Sequence, residues 1–273
     1  MSASTDADSR RAPSRNARER AAAHAEEVGA LDRHLVSLLA PASFEAEHYR
    51  ALRARIELRR EEQRLQVIAV TSPGIGEGKT TTAINLAGAL AQAREARVLL
   101  VDADLRRPSV GAQLGLDVSR TAGLADAIAD PDRSLESVIL RRLPLNLGIL
   151  TAGTLSDAPY EALKSSRLAT LFGEARRLFD YIIVDTPPLI PVPDCRLITQ
   201  WVDGLILVVA AHRTPRRLLE EGLNLVEADK VLGLVFNGER RPPAGYYGYD
   251  RAYGYAGQRS RRGSRGTAPD ARR

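Results

Sequence analysis

The sequence has one cysteine, one methionine and one tryptophan in 273 residues, and only three of its 39 basic residues are lysine. A single Cys195 excludes an internal disulfide, so nothing in the chain demands an oxidising compartment. No apolar run approaches the ~18 residues that a membrane-crossing helix needs. The opening MSASTDADSRRAPSRNARER lacks the apolar core of a secretory signal. These absences point to a cytoplasmic protein. His24, His34, His48 and His212 share no metal-ligand spacing and Cys195 has no Cys or His companion, which excludes a zinc site. Cys195 reads as a small buried helix residue and Trp201 as packing. What remains, 44% hydrophobic and 27% charged, is the composition of an ordinary globular domain with a sizeable core.

Charge is divided unevenly. Residues 240–273 hold nine Arg and two Asp, a net +7 of the chain's total +5, so the other 239 residues carry −2. The basicity belongs to the tail, where it suits contact with an anionic surface. The scarcity of lysine is also informative. Arginine serves almost everywhere, so Lys79 in a glycine-rich loop marks a place that needs a compact ammonium.

Residues 1–42 read as a disordered or weakly helical arm, residues 43–239 as the folded domain, and residues 240–273 as a disordered Tyr- and Arg-rich tail. Residues 44–62 have helical spacing, with Tyr49, Leu52 and Ile56 as an apolar stripe beside Glu47, Arg50 and Arg53. From Val67 onward, apolar runs at 67–71, 97–102, 147–150, 181–185, 205–210 and 231–236 alternate with helical stretches at 79–93, 122–129, 160–178, 194–201 and 215–228. Runs apolar throughout are expected of strands buried on both faces of a parallel sheet. The fold class is therefore α/β, a doubly wound, mostly parallel sheet.

Thr71-Ser72-Pro73-Gly74-Ile75-Gly76-Glu77-Gly78-Lys79-Thr80 follows the first strand and opens a helix, the context of a phosphate-binding P-loop. Glycines let backbone N–H groups wrap phosphate oxygens, and the helix adds its positive end. Gly74, Gly76, Glu77, Gly78, Lys79, Thr80 and Thr81 are the nucleotide-binding candidates, with Lys79 on the β- and γ-phosphates and the Thr80 hydroxyl on Mg²⁺. Pro73 stands where the usual pattern has glycine. Two further strands end in carboxylates, Asp102 with Asp104, and Asp185. In a parallel sheet these ends share the P-loop's edge. There they can hold Mg²⁺ together with Thr80, or accept a proton from a nucleophile. Aspartate at a strand end is also a common helix cap.

The P-loop, LLVDADLRRP and IIVDTPP together resemble the bacterial tyrosine kinases of capsule and exopolysaccharide synthesis, with Walker A, A′ and B motifs. Gly74 stands where the related partition and septum-site ATPases carry a signature lysine. Glu47-x-x-Arg50-x-x-Arg53 resembles that family's oligomerisation motif, and Tyr246, Tyr247, Tyr249, Tyr253 and Tyr255 resemble its autophosphorylated C-terminal cluster. The resemblance implies ATP and Mg²⁺, catalysis by Lys79, Asp102, Asp104 and Asp185, and Asn237 on the adenine. Asp102 is the better candidate for activating the tyrosine hydroxyl. Arg106 and Arg107 flank the A′ motif, where substrate or a neighbouring subunit would meet them. It further implies a ring-like homo-oligomer that phosphorylates tails in trans, a transmembrane polysaccharide co-polymerase as activator, and work at the inner face of the cell membrane. The Arg-rich tail would sit near anionic lipid. No specific nucleic-acid partner is implied. The alternative reading is a partition-type ATPase switch that modifies no tyrosine.

Overall fold

Hydrophobic residues come in unbroken runs, so the strands they form must be covered on both faces. The computed structural model, which describes residues 31–118, 121–142, 146–154 and 157–239, shows this arrangement. Its elements in chain order are α1 (Val36–Leu39), α2 (Phe44–Gln63), β1 (Val67–Thr71), α3 (Lys79–Ala91), β2 (Val98–Asp102), α4 (Val110–Gln113), α5 (Leu124–Ala129), β3 (Leu140–Arg142) and β4 (Leu147–Leu150). They continue with α6 (Pro159–Lys164), α7 (Ser166–Leu178), β5 (Tyr181–Asp185), α8 (Asp194–Ile198), β6 (Gly204–Ala210), α9 (Arg216–Leu223) and β7 (Val231–Asn237). The strands form one sheet in the order β3-β4-β2-β5-β1-β6-β7. Every pairing is parallel except β3 with β4.

Side chains alternate across the pleat and divide the core in two. Val67, Ala69, Leu99, Val101, Ile182 and Val184 face α5, α7 and α8. Ile68, Val70, Val98, Leu100 and Ile183 face α3 and its neighbours. Helix α3 is buried along nearly its whole length, which its Ala- and Leu-rich sequence permits. It carries the P-loop lysine at its first position.

The structure adjusts several expectations. Order begins before residue 43: Leu35 is fully buried and α1 docks on α3. Asn85 of α3 holds it, accepting from Ser37 N–H (2.9 Å) and donating to the His34 carbonyl (2.9 Å). A Cβ on Gly88 would lie 2.8 Å from Leu38 Cδ2, so glycine allows the close approach. Residues 1–30 and 240–273 lie outside the described residues. The helix expected over 160–178 is two, because Ser165 leaves helical geometry (ψ 135°) and caps α7 through Arg167 N–H. The helices expected at 194–201 and 215–228 stop at 198 and 223. The short antiparallel β3 carried no readable signal. Strand β7 is not covered on both faces. It is the sheet's edge, and Leu234 and Phe236 are exposed there. Among the described residues, no helix is long and apolar enough to cross a membrane.

The start of β1 is pinned from across the chain. Asp203 Oδ2 accepts from Gln66 N–H (2.9 Å), Val67 N–H (2.7 Å) and Arg176 Nη1 (2.9 Å), and its Oδ1 accepts from Arg176 Nη2 (2.7 Å). Burial alone would raise this carboxyl, but Arg176 and the two backbone N–H groups outweigh burial and hold it below its ordinary value. Such a group stabilises the fold above its unfolded pKa and loses that contribution as pH falls through the lower folded one. Asp203→Asn is therefore expected to lower unfolding free energy by about 1–3 kcal/mol at pH 7. Denaturant melts should show the gap to wild type narrowing as pH is taken below about 4.

Candidate active site

Phosphate binding needs a backbone that curls inward, and two positions supply the curl. Gly76 (φ 74°) and Gly78 (φ 93°) are the P-loop's left-handed residues. At position 78 a Cβ would overlap the Asn237 amide, so glycine is required there on space as well as conformation. Pro73, where the usual motif has glycine, is buried. It packs against Gly222 of α9, which has room for it because it lacks a side chain.

Three parallel strand ends deliver the charged groups. β2 and β5 align so that Asp102 and Asp185 are register partners, and α3 begins at Lys79 on the neighbouring loop. Lys79 Nζ lies 2.9 Å from Asp104 Oδ2 and 3.9 Å from Asp185 Oδ1. Asp185 is fully buried, and its Oδ2 accepts from Thr80 Oγ1 (2.7 Å). Its other oxygen, Oδ1, is buried without a hydrogen-bond partner. Asp102 is 1% exposed. It accepts from Asp104 N–H (3.3 Å), Ser109 N–H (3.0 Å) and Val110 N–H (3.0 Å). It therefore caps α4 as well as standing at the site, so the capping and chemical readings meet in one residue.

Burial, followed by the Asp185 and Asp104 charges, pushes the Asp102 carboxyl up to about 8. Burial also raises Asp185, against the opposing pull of Lys79 and Thr80. Burial alone would lower the Lys79 ammonium, but Asp185 and Asp104 outweigh it and hold it above its usual value. Two carboxylates thus flank one ammonium.

Lys79 and Asp104 line one side of a cleft of about 540 Å³. Gly76, Gly78, Lys79, Thr80, Thr81 and Asp104 open onto it, together with Arg106, Arg107, Ser109 and Gln113. The last two were not legible as site residues. Ser109 Oγ bonds Thr80 Oγ1 (3.0 Å) and Thr81 Oγ1 bonds Gln113 Oε1 (3.1 Å). Among the described residues no three His, Cys, Asp or Glu side chains form a preformed metal cluster. Mg²⁺ typically takes one or two protein oxygens and fills its shell with phosphate and water. The partnerless Asp185 Oδ1 and the Thr80 hydroxyl fit such an ion.

The Glu77 side chain does not line the cleft. Its side chain accepts from Gly74 N–H (3.0 Å) and from the Thr214 hydroxyl, while Thr214 Oγ1 accepts from Ala210 N–H (3.0 Å). A carboxylate aimed into a phosphate cradle would repel its ligand; buried on the outer side, it braces the loop. Asn237 Nδ2 donates to the Glu77 carbonyl (2.9 Å). β6 and β7 therefore both hold the P-loop from its flank. Thr214 gave no signal in the sequence, because its role exists only through a residue 137 positions away.

Glu47, Arg50 and Arg53 are not brought to the cleft. They lie on α2. Arg50 pairs with Glu47 and donates to the Pro41 carbonyl (2.6 Å). Arg53 donates to Glu57 (2.8 Å) and to the Ala89 carbonyl in the last turn of α3 (2.9 Å). Arg53 is thus already an internal brace. Tyr246, Tyr247, Tyr249, Tyr253 and Tyr255 lie outside the described residues.

Loss of the Thr214 hydroxyl should loosen the loop without removing any phosphate ligand. Thr214→Val is expected to weaken binding of a fluorescent ATP analogue about tenfold, while Thr214→Ser stays near wild type. Equilibrium titration of both variants checks this.

The geometry has counterparts in known proteins. The AAA domain family model matches residues 65–213. Tyrosine-protein kinase YwqD of Bacillus subtilis is 33% identical over 224 residues, covering 80% of this chain and 92% of that protein. Tyrosine-protein kinase CpsD of Streptococcus pneumoniae is 36% identical over 196 residues, covering 70% and 83%. Among solved structures, the chimerical protein CapA2B2 superposes with a TM-score of 0.71 at 28% identity, covering 82% of this chain and 99% of that one. The kinase domain of the Escherichia coli tyrosine kinase ETK gives 0.68 at 27%, covering 77% and 82%. The septum site-determining protein MinD of Pyrococcus horikoshii, complexed with Mg-ADP, gives 0.54 at 26%, covering 65% and 72%. A P-loop lysine flanked by Asp104 and Asp185, on a chain alike to these kinases over most of its length, makes the protein a member of the bacterial tyrosine-protein kinase family.

Proposed function

We propose that the chain is an ATP- and Mg²⁺-dependent autokinase. It phosphorylates the tail tyrosines Tyr246, Tyr247, Tyr249, Tyr253 and Tyr255 of neighbouring copies, and so regulates the length and export of a capsular polysaccharide or exopolysaccharide. The observation that carries this reading is Lys79 Nζ resting 2.9 Å from Asp104 at the mouth of a P-loop, with Asp102 directly behind. A lysine parked on a carboxylate has somewhere to go when a polyphosphate arrives.

The reaction is in-line phosphoryl transfer. The tyrosine oxygen forms a bond to the γ-phosphorus as the bridging oxygen departs with ADP, and the hydroxyl proton leaves to a carboxylate. P-loop N–H groups and the start of α3 cradle the phosphates. Lys79 moves from Asp104 onto the β- and γ-phosphates, which frees Asp104 to face the acceptor. The Asp102–Asp104 pair takes the proton. Thr80 and Asp185 would hold Mg²⁺, which supplies charge neutralisation and alignment of the phosphates when bound.

The same reading takes Glu47 and Arg50 of α2 as contacts in a ring-like homo-oligomer. Glu47 is exposed while Arg53 is engaged internally. A chimera named CapA2B2 is consistent with a kinase working alongside a second polypeptide. We take that partner here to be a transmembrane co-polymerase that recruits the cytoplasmic kinase to the membrane, with the Arg-rich tail near anionic lipid. Each phosphate adds roughly −1.5 to −2 to that tail, enough in number to reverse its +7 and loosen the assembly by repulsion.

The test is incubation with Mg²⁺ and γ-labelled ATP, with and without the cytoplasmic end of a candidate membrane partner. Wild type is expected to carry label on Tyr246–Tyr255 by mass spectrometry. Lys79→Ala and the variant with all five tail tyrosines changed to Phe should carry none. ATP hydrolysis with no phosphotyrosine, even with the partner present, would instead support a partition-type switch.

A further inference from the structure

The cleft has a second wall that a nucleotide's phosphates do not need. The sheet order decides which end of the nucleotide meets it. β6 and β7 lie on one side of the P-loop strand β1, and Asn237 of β7 braces the loop from there. β5 and β2 lie on the other side and bring Asp185 and Asp104 to Lys79. The ammonium that meets the β- and γ-phosphates therefore marks the β2/β5 side as the terminal-phosphate end. The cleft continues at that end along the loop after β5, where Pro188, Pro191 and Val192 line it. Ile75 of the P-loop lines it too and is 62% exposed. This loop is anchored: Arg106 makes two bonds to Asp194 at the start of α8 (2.7 and 3.0 Å), and Asp194 is 1% exposed.

An apolar wall beside a polar reaction centre suits a group that is apolar in its body and polar at its tip. A phenol is such a group. We propose that Ile75, Pro188, Pro191 and Val192 form the acceptor slot of the kinase, holding the ring of a tyrosine so that its hydroxyl meets Asp104 and the terminal phosphate. Arg106 is a positioning residue that keeps the slot's outer wall in place. Serine and threonine have no ring to fill such a slot, so the wall, rather than the carboxylates, selects tyrosine. This inference rests on the kinase reading given above and supplies its substrate determinant.

The test separates the two. The probe is a peptide copying residues 243–256, with Tyr249 kept and its other four tyrosines changed to serine. It is titrated against the full chain with all five tail tyrosines changed to serine, with Mg²⁺ and a non-hydrolysable ATP analogue present. Broadening of the peptide's ring protons by NMR reports binding. Phosphotyrosine formation with ATP is measured in parallel. Val192→Asp is expected to weaken peptide binding at least tenfold while leaving affinity for the ATP analogue within about twofold, and Val192→Ile should restore it. A Tyr249→Phe peptide should bind nearly as well as the parent, and a Tyr249→Ala peptide at least tenfold less. Pro191→Asp, at an exposed position, replaces Val192→Asp if the latter fails to fold. The slot is overturned if the charged variant binds peptide like wild type, if the alanine peptide binds like the parent, or if wild type binds no peptide. Ring-dependent binding that Val192→Asp abolishes, with no phosphotyrosine formed by wild type, would sustain the slot and defeat the kinase reading.

Discussion

One ammonium flanked by two buried carboxylates is the constraint around which the rest of the structure is arranged. Burial disfavours each charge alone. Lys79 keeps its proton because Asp104 and Asp185 flank it, while burial raises Asp102 and Asp185. Asp185 Oδ1, buried without a hydrogen-bond partner, and the Thr80 hydroxyl are the groups that would fit a divalent cation. A site built this way holds its charges in tension.

Such tension needs a rigid frame, and much of the polar bonding supplies it. Asp102 ties the end of β2 to the start of α4. Thr214 and Asn237 tie β6 and β7 to the P-loop through Glu77. Asn85 fastens the residues before α2 onto α3, and Arg53 fastens α2 to the far end of α3, about 15 Å from Lys79 at helical rise. The helix that presents the lysine is therefore clamped along both its length and its N-terminal loop. Any partner that pressed on α1 or α2 would press on the same helix.

The fold is shared with a septum site-determining protein, so architecture alone does not assign an activity. What surrounds the P-loop here is an apolar, proline-rich wall along the cleft, in a chain that also carries five clustered tyrosines in its tail. A hydrolase must admit water to the γ-phosphate, whereas a kinase must admit a ring and keep water out. An apolar wall suits the second task.

By itself the sequence determined the sheet, the P-loop and the strand-end carboxylates. Each is written in local pattern: apolar runs of strand length, glycines at the two left-handed positions, and aspartate where a run ends. Strands buried on both faces leave this mark because water is excluded from every side chain in them. Among the expected strands it misread β7, which is as apolar as a central strand yet has no cover on one face. Tertiary structure alone decided which way each side chain turned. Nothing local told Glu77 to bond Thr214 or Arg53 to bond α3. Those outcomes depend on groups 137 and 36 residues away, set at hydrogen-bonding distance by the packing of the sheet and its helices.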